Sequence, residues 1–238
     1  MDDNNDDNRG GGPGSRTATT RPATGSDSGS GQTRKRAGRL QSGGAIREAA
    51  TTLFLRKGYL GTSMDEVAAL ARVSKQTVYT HFDDKEQLFT DLVLSNTERV
   101  EEFVDEMTAL LDRASDPERD LGELARRYLD TVVRPQVLQL RRLVIGEAAR
   151  FPDLARTYHE RVPERMVGAL SAGLRGLAAR GLLHVDDPQL AAQHFVALVL
   201  WIPLDRALFV PDAEALPDAE LEHLATEGVR VFLAAYRA

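Results

Sequence analysis

Apolar residues recur at three- and four-residue spacing along most of the chain after Gln41, which is the period of amphipathic α-helices. Prolines, glycines and short polar runs interrupt this pattern, and runs typical of strands are scarce. The pattern therefore predicts an all-α fold. The predicted helices lie near residues 42–57, 63–71, 74–81, 84–112, 117–133, 135–149, 153–180, 188–209 and 217–236.

Residues 1–40 differ from the rest, because they are rich in Gly, Ser, Thr, Asp and Arg and contain no aromatic residue. The segment has too few apolar side chains for their burial to offset the conformational entropy lost on ordering. We therefore expect a disordered polar and basic tail. The tail ends in four basic residues, which either form an arm that enters the minor groove of DNA or are only a solvated linker. These residues are Arg34, Lys35, Arg36 and Arg39.

The segment over residues 62–82 predicts two short helices joined by a tight turn. Ser63 and Glu66 have the spacing of a capping box at the start of the first helix, and Ser74 can cap the second. Val78 and Phe82 lie four residues apart and should point inward together. This leaves a polar outer face suited to the major groove, as in a helix-turn-helix. The alternative is an ordinary pair of core helices, since the same geometry occurs in proteins that bind no DNA.

The residues of this segment also resemble a known family. Residues 71–82 (ARVSKQTVYTHF), with Gly58-Tyr59 before them and residues 84–89 (DKEQLF) after them, closely resemble the TetR family of bacterial transcriptional regulators. The resemblance is dense over residues 41–92. One departure is Arg72, at a turn position where many members carry Gly, so a positive φ there would have a modest backbone cost.

A second resemblance covers the carboxy-terminal part. Residues 143–148 (LVIGEA), 151–155 (FPDLA) and 191–195 (AAQHF) are similar to the effector-binding and dimerisation half of AcrR- or AefR-like repressors. The resemblance implies a DNA-binding domain over 41–90 and an effector-binding and dimerisation domain over 91–238. It also implies that helices 188–209 and 217–236 form a four-helix bundle between two protomers.

The implied function is a homodimeric DNA-binding regulator, a ligand-responsive repressor of a palindromic operator. Lys75 and Gln76 have side chains that can read base edges, and the other polar residues of the segment suit phosphate oxygens. The expected DNA-binding residues are Thr62, Ser63, Ser74, Lys75, Gln76, Thr77, Tyr79, Thr80, His81 and Lys85. The alternative function is an all-α enzyme or interaction scaffold that keeps a vestigial helix-turn-helix.

Aromatic, methionine and a few polar side chains recur on the middle helices. They either pack the core or line a cavity for an apolar or aromatic effector. The candidate pocket residues are Phe103, Met107, Tyr128, Arg142, Phe151, Tyr158, Met166, His194, Phe195 and Leu198.

The amino-acid composition excludes several kinds of functional site. The chain lacks cysteine, which excludes disulfides and thiol chemistry, and its five histidines form no metal-binding pair of known spacing. We expect no catalytic site, metal or cofactor. The net charge is −6, yet all four lysines, Lys35, Lys57, Lys75 and Lys85, lie in the first 90 residues. No apolar leader or membrane-spanning stretch is evident, so we expect a cytoplasmic protein with DNA, a small molecule and a second copy as partners.

Overall fold

The computed structural model of the protein describes residues 28–95, 97–210 and 216–238. These residues form α-helices and one π-helical turn and contain no strand, which confirms the all-α prediction. The chain divides into two units, Met1–Arg39 and Leu40–Ala238, and both hydrophobic clusters lie in the second. The helices are α1 (Ser28–Lys57), α2 (Met64–Ala71), α3 (Lys75–His81), α4 (Lys85–Ser95), α5 (Glu98–Arg113), α6 (Pro117–Val132), α7 (Pro135–Glu147), α8 (Pro152–His159), α9 (Arg165–Ala179), α10 (Pro188–Phe209) and α11 (Asp218–Tyr236), with the π turn (Glu160–Glu164) between α8 and α9.

The first helix begins earlier than the sequence predicted. α1 starts at Ser28 instead of near residue 42, so it includes residues 28–40 of the segment for which disorder was expected. Extending an existing helix adds one backbone hydrogen bond per residue without the cost of a new nucleus, and residues 32–37 include several good helix formers. Residues 1–27 of the predicted tail lie outside the described residues.

The single helix predicted over 84–112 is two helices, α4 and α5. At the junction the Ser95 hydroxyl donates to the carbonyl of Leu92 (3.1 Å), and the Thr97 hydroxyl donates to that of Leu94 (2.7 Å). Hydroxyl groups of this kind compete with backbone N–H groups for the carbonyls of the preceding turn, which favours a break.

The helix predicted over 153–180 is likewise interrupted, by the π turn. Pro163 lies inside this turn and has no N–H to donate, so the regular hydrogen-bond pattern cannot continue through it. π turns of this kind occur frequently at functional sites.

The larger hydrophobic cluster is built from α5, α6, α9, α10 and α11. α9 packs closely on α5 because Gly173 has no side chain: a Cβ at this position would lie 2.2 Å from Cδ1 of Leu111. At the centre of the cluster, the rings of Phe195 on α10 and Phe232 on α11 meet edge to face at 5.3 Å and are fully buried. These contacts hold the five helices together as one body.

The smaller cluster contains the core of the helix-turn-helix segment and also side chains from α7 and α8. Ile46, Phe54, Val67 and Val78 are completely buried, and they join α1, α2 and α3. Phe151 packs its ring against those of Tyr59 (4.8 Å) and Phe89 (5.4 Å). The helix-turn-helix therefore shares its core with the part of the body that contains α7 and α8.

Helix α10 has the length and composition that a membrane span requires, with a mean hydropathy of 1.2 over its most apolar window. This corrects the expectation that no segment would approach a membrane span. One such helix is weak evidence, because helices of protein cores pass the same test. α10 packs on α9 and α11, while Leu198, Trp201 and Ile202 are exposed, with Trp201 67% exposed.

Candidate functional site

Helix α2 begins with the predicted capping box. The Ser63 hydroxyl accepts from the backbone N–H of Glu66 (3.3 Å), and the Glu66 carboxylate accepts from the backbone N–H of Ser63 (3.0 Å). Lys57, at the end of α1, also donates to this carboxylate. Hydrogen bonds from Lys57 and Ser63 lower the pKa of Glu66 to about 2. The box therefore fixes α2 against the end of α1.

The turn between α2 and α3 contains a left-handed residue. Arg72 has φ 57° and ψ 38°, and is the only described residue other than glycine with positive φ. Its N–H donates to the carbonyl of Ala69 (3.2 Å), and the N–H of Val73 donates to that of Ala68 (3.1 Å). This pair of bonds is a Schellman motif, which usually has glycine at the left-handed position. The sequence had marked this position as one of possible strain.

Helix α3 is capped and oriented as the sequence predicted. The Ser74 hydroxyl accepts from the backbone N–H of Thr77 (3.0 Å). Val78 and Phe82 are buried in the smaller cluster, with Val78 fully inaccessible. The opposite side of α3 consequently faces solvent.

This outer face carries Lys75, Gln76, Tyr79 and Thr80, all exposed. The Lys75 ammonium lies 2.7 Å from the carboxylate of Asp65 on α2 and 6.0 Å from the centre of the Tyr79 ring. The hydrogen bond with Asp65 raises the pKa of Lys75. The face therefore offers amide, hydroxyl and ammonium groups, of which the ammonium already has an acidic partner.

Thr62, Lys85 and His81, which were also expected to bind DNA, form hydrogen bonds with groups outside α2, α3 and α4. Thr62 is buried and its hydroxyl donates to the carbonyl of Gly58 (2.9 Å). The half-buried Lys85 donates to the carbonyls of Tyr59 and Thr62 (2.9 Å each), and its ammonium lies 4.3 Å from the Tyr59 ring centre. His81 Nε2 forms a hydrogen bond with the Ser42 hydroxyl (2.9 Å). Lys85 thus ties α4 to the loop before α2, where the sequence suggested a free phosphate contact.

The proposed minor-groove arm lies mostly outside the described side chains. Arg39 is exposed, whereas the side chains of Arg34, Lys35 and Arg36 are not among those described.

A cavity of about 130 Å³ lies among α5, α6, α7, α8, the π turn and α9. Phe103, Tyr128, Tyr158 and Met166, four of the ten candidate pocket residues, line it. The other lining residues are Val100, Thr131, Val132, Gln136, Val137, Leu140, Arg141, Val162 and Pro163.

The remaining candidate pocket residues lie elsewhere. Met107 and Phe195 are buried in the larger cluster, and Phe151 belongs to the aromatic group around Tyr59. Arg142 donates to the carbonyl of Ala207 on α10. His194 Nδ1 pairs with the Tyr236 hydroxyl (2.6 Å), and Leu198 faces outward, 37% exposed. No residue of α10 lines this cavity, and α10 packs mainly on α9 and α11.

Two of the cavity residues also belong to the cluster beneath the helix-turn-helix. Leu140 on α7 and Tyr158 on α8 line the cavity and are buried with the core side chains of α1 and α4. The cavity and the recognition helix are thus connected through packed side chains.

Arg141 and the other cavity residues on α7 were not predicted from the sequence. Val137, Leu140 and Arg141 have the spacing of one helix face, which was a usable signal. The π turn, which brings Val162 and Pro163 to the cavity, has no such signal. Among residues 28–95, 97–210 and 216–238, no group of three or more His, Asp or Glu side chains is placed to hold a metal ion.

An amino-terminal helix-turn-helix with a polar outer face, joined to a larger helical body, defines the class of helix-turn-helix transcriptional regulators. Comparison with known proteins agrees. Residues 46–92 match the bacterial regulatory proteins of the tetR family, and residues 119–238 match the C-terminal domain of AefR-like transcriptional repressors. The chain belongs to the TetR family of transcriptional regulators, as predicted, and is not an enzyme.

Individual relatives show how far the similarity extends. The HTH-type transcriptional regulator YhgD of Bacillus subtilis (strain 168) is 30% identical over 161 residues, which are 67% of this chain and 80% of YhgD. A structure of a TetR-family regulator from Mesorhizobium loti has a TM-score of 0.78 and 42% identity, and covers 84% of this chain and 98% of its own. The structure of the flavonoid-responsive regulator FrrA has a TM-score of 0.60 and 31% identity, and covers 82% and 97% of the two chains.

Proposed function

We propose that the protein is a cytoplasmic homodimeric repressor that binds a near-palindromic operator and releases it when a small molecule occupies the cavity. The observation that carries this proposal is the position of Leu140 and Tyr158, which line the cavity and pack beneath the helix-turn-helix. A ligand that favours another arrangement of these side chains would change the position of α4, and hence the position of α3. The coupling equals the difference in ligand affinity between the two states.

In this proposal α3 lies in the major groove, where Lys75 and Gln76 contact base edges. Ser74, Thr77, Tyr79 and Thr80 contact phosphates and fix the register. Both roles are supported by the position of these side chains at the start and on the outer face of α3, where all but the partly buried Thr77 are exposed. Thr62 and Lys85 instead hold the loop before α2, and Ser63 caps α2.

The test of this assignment is binding of Gln76→Ala to the operator and to random DNA. Loss of a base contact should weaken operator binding by about 1–3 kcal/mol and leave random DNA nearly unaffected. Gln139→Ala is the matched control, because Gln139 is an exposed glutamine on α7, in the body. An equal loss on both DNAs would contradict base reading by Gln76.

The second copy would cover the exposed apolar face of α10 and α11. Leu198, Trp201 and Ile202 on α10 and Val231 on α11 are between 37% and 67% exposed. α10 and α11 can present one continuous surface because Gly228 allows close approach: a Cβ there would lie 3.0 Å from the carbonyl oxygen of Leu198. Successive half-sites lie about 34–36 Å apart, so a C2 dimer through this face has to present its two recognition helices at that spacing. The full chain should sediment as a dimer and Ile202→Glu as a monomer.

The effector in this proposal is a small apolar or aromatic molecule. The cavity is lined mainly by aliphatic and aromatic side chains, which suits such a ligand. FrrA, whose structure is similar, is a flavonoid-responsive regulator, and flavonoids are aromatic compounds. Cytoplasmic location follows from the DNA partner, and α10 is then covered by the second copy.

A further inference from the structure

Arg141 is the one charged side chain among the described residues that line the cavity. It is half-buried, and it forms no ion pair or hydrogen bond with the described residues. A partly buried guanidinium without an acidic partner is costly, and its five N–H donors match the geometry of a carboxylate.

The Tyr128 hydroxyl is another polar group of the cavity that forms no hydrogen bond with the described residues. Tyr128 is only 5% exposed. No fully enclosed polar side-chain atom of those residues lacks a partner, so this hydroxyl must border accessible space, and the cavity is the space that Tyr128 lines. Burial raises the pKa of Tyr128 to about 12, although the nearby Arg141 lowers it. The hydroxyl is therefore protonated at neutral pH and available as a donor.

The other residues of the cavity wall restrict the charge, polarity and size of the ligand. Its described lining contains no carboxylate, so the local charge is positive. The ring of Phe103 lies 5.8 Å from that of Tyr128, and Met166, Val132 and Leu140 complete an apolar surface. A cavity of about 150 Å³ holds benzene, so the 130 Å³ here suits one ring or a short branched chain.

We propose that the cavity binds a small monocarboxylate with a single apolar ring or a branched chain, whose carboxylate accepts from the Arg141 guanidinium and the Tyr128 hydroxyl. This inference rests on the proposed function in taking the ligand to be the effector. The apolar part of the ligand would lie against Phe103 and Met166, and the carboxylate would supply the partner that Arg141 lacks. A neutral ligand of the same shape would leave the guanidinium unpaired.

The experiment compares acids with their amides, which have nearly the same shape but no charge. Benzoate, phenylacetate and 3-methylbutanoate are titrated against benzamide, phenylacetamide and 3-methylbutanamide by calorimetry on the full chain. At least one acid should bind about tenfold or more tighter than its amide, since hydrogen bonds to charged groups are the stronger ones. Acids that bind no tighter than their amides across the panel would overturn the inference.

Variants test the assigned residues. Arg141→Met should abolish the preference for acids, and Arg141→Lys should retain part of it. Tyr128→Phe should weaken acid and amide alike, because the amide oxygen also accepts from the hydroxyl. Arg134→Met is the matched control: Arg134 is exposed at the start of the same helix and does not line the cavity. Thermal unfolding without ligand checks that each variant is folded, and a preference that survives Arg141→Met in folded protein would refute the assignment.

Operator binding measured with the same ligands separates this inference from the proposed function. An Arg141-dependent preference without any change in operator affinity would support the carboxylate site and refute effector control through it. Operator release by a neutral ligand, with no acid preference, would leave the proposed function standing and overturn the carboxylate inference.

Discussion

The ion pair between Lys75 and Asp65 should restrain DNA binding. Lys75 is proposed to contact a base edge, but its ammonium lies 2.7 Å from the Asp65 carboxylate. Contact with DNA requires Lys75 to leave this partner and brings the Asp65 charge towards phosphates. Asp65→Asn should therefore strengthen operator binding.

The expected gain is modest, because both side chains are largely exposed, 59% for Lys75 and 65% for Asp65. Solvent screens such a pair, so its removal should raise operator affinity by about two- to fivefold. Loss of one negative charge at the interface should also steepen the plot of log affinity against log salt by up to about 0.9. Fluorescence anisotropy titrations between about 50 and 200 mM salt would measure both effects.

Two controls assign the effect to this pair. In a Lys75→Ala background, Asp65→Asn should have a much smaller effect, because the competing ammonium is gone. Glu101→Gln breaks the exposed pair with Arg165 in the body and should leave DNA affinity unchanged. Weaker operator binding by Asp65→Asn would refute the reasoning, since it would mean that Asp65 orients Lys75 for DNA.

Two further predictions concern stability. Arg72→Gly should stabilise the protein by about 1 kcal/mol and raise Tm by about 2–4 °C. The reason is that glycine adopts the observed φ of 57° without the steric cost of a Cβ. An unchanged or lower Tm in calorimetry would contradict this prediction. Glu66, whose pKa is lowered from 4.5 to about 2 chiefly by the hydrogen bond from Lys57, should stabilise the fold above pH 4.5, with the contribution lost as pH falls towards 2. Glu66→Gln should be less stable than the wild type at pH 7 and should lose less stability over that pH range, and parallel acid-unfolding curves for the two proteins would show that the carboxylate does not contribute.

Local signals in the sequence were sufficient for the helix-turn-helix. The capping box at Ser63 and Glu66, the cap at Ser74 and the inward pair Val78 and Phe82 act over three or four residues, and the structure has each of them. Interactions of this range depend on few neighbours, so the sequence alone determines them. The positive φ of Arg72 was foreseeable for the same reason, because the turn geometry requires it.

Interactions between distant residues were not visible in the sequence. From the sequence, Lys85 was expected to be an exposed residue that contacts phosphate. In the structure its ammonium donates hydrogen bonds to the carbonyls of Tyr59 and Thr62. A local signal was missed as well: the Ser95 and Thr97 hydroxyl groups contact carbonyls only three residues away, but the continuous apolar stripe over residues 84–112 concealed the break between α4 and α5.

The cavity illustrates most clearly the difference between what the sequence determines and what the tertiary structure decides. The sequence identified aromatic and methionine side chains suited to a pocket, and four of them meet there. Which of them meet depends on the packing of six elements, including a π turn that places Val162 and Pro163 in the wall. Short-range patterns determine which helices form and which faces are apolar, whereas the crossing of the helices decides which faces enclose a space. Only the tertiary structure therefore places Arg141 and Tyr128 together, because they lie on different helices whose approach is fixed by packing.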